Sequence, residues 1–136
     1  MDLAGALDRD LKPGRVSTGV GEASVTAEVA DADRIGVLLH GLTVERAGRG
    51  LPEALAALPT AVAGALRRPV HLVEADLGLG GGTARTDVED QSYFELRTTG
   101  ASSTLDRWRV AGGRRERVPW PLTREDLSRL VRAMES

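Results

Sequence analysis

The chain has 136 residues, of which 41% are apolar and 28% charged, and its net charge is −2. This is the length of one domain, enough to bury a core without cross-links, with the balance of a globular protein. The absence of cysteine excludes a disulfide framework, thiol chemistry and a thiolate zinc site, and the negative charge argues against a general nucleic-acid binder.

No apolar run approaches the roughly 18 residues of a membrane span. Asp2, Asp8 and Asp10 stand where a signal peptide would be basic and then apolar, so the expected setting is a cytoplasm. Lys12 is the only lysine among 18 basic residues. With so much Ala and Gly, that arginine bias points to a GC-rich bacterial genome. Residues 97–136 carry nine Arg against five acids, while residues 1–96 are acidic on balance.

The first element is a short helix over Asp2–Leu11, where Leu3, Leu7 and Leu11 recur at four-residue spacing until Lys12-Pro13-Gly14 stops it. At about ten residues it is marginal alone, so its stripe must dock, on its own sheet or on another chain. Residues 1–12 are thus a candidate detachable element. Arg15–Val20 and Ser24–Ala30 follow as strands joined at Gly21-Glu22, the second alternating Val25, Ala27 and Val29 with polar neighbours. After the turn Asp31-Ala32-Asp33, the segment Arg34–Arg46 reads as a central strand, because Ile35-Gly36-Val37-Leu38-Leu39 is apolar on both faces. These three strands form an antiparallel meander.

Leu51, Leu55, Leu58, Val62 and Leu66 mark a helix over residues 52–67. Pro52 suits its first turn; Pro59 does not suit an interior, so the helix either kinks there or starts there. Four strands come next, at Val70–Leu77, Thr83–Val88, Ser92–Thr98 and Thr104–Val110. Arg114–Trp120 is a short edge strand, since Pro119 and Pro121 exclude it from a sheet centre. Thr123 and Asp126 have capping-box spacing, and Leu127, Leu130, Val131 and Met134 give the last helix its buried stripe. The fold class is therefore α+β. It is one domain over residues 1–136, in the order α-β-β-β-α-β-β-β-β-α, with a mainly antiparallel sheet and helices packed on one face.

No group of residues forms a convincing catalytic set. Val37-Leu38-Leu39-His40-Gly41 is similar to the strand and His-Gly before the oxyanion loop of α/β-hydrolases, but no Gly-x-Ser-x-Gly elbow accompanies it. Gly78-Leu79-Gly80-Gly81-Gly82-Thr83 lacks the Lys-Ser/Thr pair of a P-loop and leads into a strand rather than a helix, which makes it a hairpin. His40 and His71 show no metal-ligand spacing. No metal and no cofactor is expected. The densest basic group is Arg107, Arg109, Arg114, Arg115 and Arg117 with Trp108 and Trp120 nearby; arginine can grip carboxylates bidentately.

Three segments together resemble a group of small uncharacterised proteins from GC-rich bacteria such as planctomycetes: Asp33–Leu39, Gln91–Leu96 and Pro119–Leu127. The resemblance implies no activity. The order of elements is similar to that of small type III secretion chaperones, a likeness of architecture, which does not carry function. The leading expectation is a non-enzymatic interaction module, an adaptor or chaperone-like protein. It would bind another bacterial protein, one with an acidic surface, or a second copy of itself, through Arg107, Trp108, Arg109, Arg115 and Trp120. One alternative is a small-molecule binder or enzyme that uses the concave sheet face near His71, Glu74 and Tyr93. Another is an immunity protein to a toxin, which differs from the first only in its partner.

Overall fold

A computed structural model describes all residues, 1–136. Three helices, α1 (Leu3–Asp10), α2 (Leu51–Leu66) and α3 (Arg124–Met134), accompany nine strands. The first meander is β1 (Gly14–Val20), β2 (Ala23–Ala32) and β3 (Gly36–Arg46). The second runs through β4 (Val70–Asp76), β5 (Gly81–Thr86), β6 (Ser92–Thr98) and β7 (Ser102–Ala111), followed by the short β8 (Arg114–Arg117) and β9 (Trp120–Thr123). All pairings are antiparallel, and the order is β1-β2-β3-β7-β6-β5-β4. The expected α+β fold, with its element order, is the one observed.

The two meanders join where Leu42–Glu45 of β3 pairs with Ser102–Leu105 of β7. Beyond that contact the two strands part. The gap is filled by β8, which pairs with the end of β7, and by β9, which pairs with Gly36–Leu39 of β3. The expected edge strand over Arg114–Trp120 is thus two strands, divided at Val118-Pro119, and Pro121 lies in the second opposite Leu38.

Local chemistry sets the boundaries. Asp2 caps α1 by accepting the Gly5 N–H at 2.8 Å. Thr123 caps α3 by accepting the Asp126 N–H at 3.0 Å, as its spacing predicts. The Asp33 carboxylate accepts the N–H groups of Ile35 and Gly36, both at 2.8 Å, and closes the β2–β3 turn. Those bonds, that from Gly36 foremost, hold its pKa below the usual carboxylate value. Helix α2 runs unbroken through Pro59, so it neither ends nor begins there.

The three helices cover one face of the sheet. Leu39, Leu42 and Val44 of β3, Leu96 of β6 and Leu105 of β7 meet Leu58 and Val62 of α2 and Leu127, Leu130 and Met134 of α3 in one core. Leu3, Ala4, Ala6 and Leu7 of α1 are buried, and Arg124 ties this helix to α3 by donating to the Asp8 carboxylate at 2.9 Å. Of the two docking options open to this helix, the structure therefore shows the first: it lies on its own sheet. Residues 1–12 thus contribute to the core, since Leu3, Ala4 and Leu7 belong to its cluster and their removal would expose the side chains they pack against.

Candidate interaction surface

The other face of the sheet carries no helix. It is built by the alternate residues of each strand, which the register lines up in rows. One row runs Ser17, Thr26, Thr43, Thr104, Arg97, Thr83 and Glu74 from β1 to β4. Within it the hydroxyls of Ser17 and Thr26 bond at 2.9 Å and those of Thr43 and Thr104 at 3.0 Å. Such pairs let a sheet face water without separating its strands.

The adjacent row places two carboxylates side by side, Glu95 on β6 opposite Asp106 on β7. Both side chains are 3% exposed. Arginines enclose them. Arg85 donates to Glu95 at 2.8 Å and Arg115 at 3.0 Å, while Arg97 donates to Asp106 at 2.9 Å. Arg117 spans Glu28, the His40 carbonyl and Asp106. Buried charges persist only when paired in this way. The side chains substitute for a second layer of secondary structure. Gly41 lies directly beneath them: a Cβ there would lie 2.9 Å from Arg117 Nη2 and 3.1 Å from Asp106 Oδ1, so the arginine would have to shift. The His-Gly pair thus belongs to a mid-strand position under an arginine, and no oxyanion loop follows it.

Replacing Glu95 by Leu leaves Arg85 and Arg115 without their shared carboxylate. Both guanidinium groups can turn to water, so the expected loss is about 1–3 kcal/mol rather than the larger cost of a sealed pair. Urea unfolding measures it, and Glu95→Gln, which keeps the acceptor oxygen, should lose less.

The arginine and tryptophan group is dispersed. Arg115 stacks 4.0 Å above the Trp108 ring and donates to the Tyr93 hydroxyl at 3.0 Å. Its pKa is raised, first by that bond and then by Glu95. Arg107 and Arg109 share a face, as their spacing predicts, but it is the opposite one. Arg107 donates to Ser92 Oγ at 2.9 Å, and Arg109 pairs with Glu116 at 3.1 Å. Trp120 is 3% exposed and meets Phe94 edge to face at 5.2 Å, so no partner can touch it. Arg107, Trp108, Arg109, Arg115 and Trp120 therefore form no common stripe.

His71, Glu74 and Tyr93 do not converge either. His71 lies on the surface 3.5 Å from Asp87, and Tyr93 is covered by Arg85 and Arg115. Glu74 alone lines the groove of about 450 Å³ that runs along the open face beside the β4–β5 turn, with Asp76, Thr83, Arg97 and Thr104 among its walls.

Exposed edge strands are expected of such a sheet, but the sequence does not say which strands they are; one of them is β4. His71–Asp76 are all exposed, and no strand pairs with the outer side of β4. Leu72 and Val73 are 50% and 54% exposed, and Leu77 and Leu79 beyond them are more so. The strand itself is legible over Val70–Leu77, but its place at the sheet's end depends on long-range pairing.

No family model matches the chain, and no curated protein or solved structure is significantly similar to it. No helix is long and apolar enough to cross a membrane.

Proposed function

We propose that this protein is a non-enzymatic interaction module, an adaptor or chaperone-like protein that receives an extended segment of another protein along β4. One observation carries the reading: an unpaired strand edge flanked by exposed Leu72, Val73, Leu77 and Leu79. An open edge offers a row of free backbone donors and acceptors, and an added strand satisfies them. The apolar side chains beside it supply the area that makes such pairing favourable. An immunity protein would use the same edge and differ only in its partner.

Leu72→Ser combined with Val73→Ser tests the reading. Both side chains are half exposed, so the folded domain should keep its melting temperature within a few degrees. A partner captured from native lysate by the wild-type chain should be retained about tenfold less well, given the apolar area removed. Undiminished capture by the double variant would refute docking on β4.

A further inference from the structure

The chemistry of the β4 edge selects among segments that could dock there. This inference rests on the reading just given. On the open face, β4 presents Glu74 and Asp76, which both reach the groove of about 450 Å³. No cation pairs with either. The Asp76 carboxylate accepts only the Leu79 N–H, at 3.0 Å. Arg97, the one cation among the groove's walls, is committed to Asp106 at 2.9 Å and lies 3.7 Å from Glu95. On the same face the carboxylates of Glu28, Glu95 and Asp106 all hold arginine. The acidic pair at the edge holds none, and neither does Glu45 of β3 on that face.

A strand added antiparallel to β4 would send alternate side chains to the two faces. Those on the helix side would lie beside Leu72, and those on the open side beside Glu74 and Asp76. We infer that the docked segment alternates apolar with basic residues, its lysine or arginine side chains entering the groove and pairing with Glu74 and Asp76. Opposite charges directly across strands stabilise pairing and like charges oppose it, so the edge accepts basic strands and rejects acidic ones.

The probe is a fluorescein-labelled nine-residue peptide that alternates lysine with valine and threonine, compared with its counterpart carrying glutamate for lysine. Fluorescence anisotropy on the full chain should show binding of the basic peptide at least tenfold tighter than that of the acidic one, weakening as salt is raised. Glu74→Lys with Asp76→Lys should invert the preference, and Leu72→Ser with Val73→Ser should weaken both peptides. Equal binding of the two peptides, or a preference untouched by the charge reversal, overturns the inference. So does light scattering that shows a dimer dissociated by Leu72→Ser/Val73→Ser, because the occupant is then a second copy. If neither peptide binds while that variant still releases the lysate partner, the basic-strand assignment fails and docking on β4 stands. If the variant retains the partner, docking itself has failed.

Discussion

Gly100→Ala is expected to destabilise the domain by about 3–5 kcal/mol, lowering its melting temperature by on the order of 10 °C. Gly100 occupies the β6–β7 turn with φ of +96°, a conformation that costs any other residue strain. Space is the larger obstacle. An added Cβ would lie 2.6 Å from the Leu51 nitrogen, 2.8 Å from the Gly50 carbonyl carbon and 3.0 Å from the Arg49 oxygen. All three are backbone atoms at the start of α2, and none can rotate away. The turn and the helix start must separate. Thermal unfolding followed by circular dichroism measures the effect, and a change within two degrees would contradict this close approach.

The second large effect is at Arg49, which is 5% exposed and pairs with no Asp or Glu side chain. Its guanidinium donates to four acceptors: the carbonyls of Gly100 at 2.7 Å, Met134 at 2.9 Å and Ser136 at 2.7 Å, and Ser103 Oγ at 2.9 Å. It thereby joins the loop before α2, the β6–β7 turn and the last turn of α3. Burial lowers its pKa, with Arg46 adding to the effect. What offsets that burial is the set of carbonyls, whose partial charges at a helix C-terminus favour a cation. Arg49→Leu removes all four bonds and should cost about 3–4 kcal/mol in urea unfolding. Arg49→Lys keeps the charge but not the planar fork, and should recover only part of that loss. Full recovery by lysine would show that charge, rather than the geometry of the four bonds, fixes this corner.

The sequence made the elements legible where period and punctuation agree. Leu127, Leu130, Val131 and Met134 behind Thr123 give α3, and Phe94 and Leu96 alternating with Tyr93, Glu95 and Arg97 give β6 with an apolar and a polar face. Long-range partners leave no such local trace. That Glu95 faces Asp106 depends on the β6–β7 register, and that Trp120 is buried depends on β9 folding back onto β3. Arg49 sits in an unremarkable Gly-Arg-Gly loop and becomes a buried tie only when the β6–β7 turn and α3 close around it. The basic group around Trp108 was visible as composition. Its division between two faces followed from strand alternation, and the partners that hold it, Ser92 for Arg107, Glu116 for Arg109 and Glu95 for Arg115, became visible only with the strands paired.

Hydrogen–deuterium exchange across β4 tests the proposed docking most directly. In the free protein the amides of Val70–Asp76 should exchange faster than those of β6 and β7, which are paired on both sides. On adding a captured partner, or the basic peptide, protection should rise in Val70–Asp76 and change little elsewhere. Protection that rises on another surface, with β4 unaltered, would contradict the assignment of this edge as the place where a partner is held.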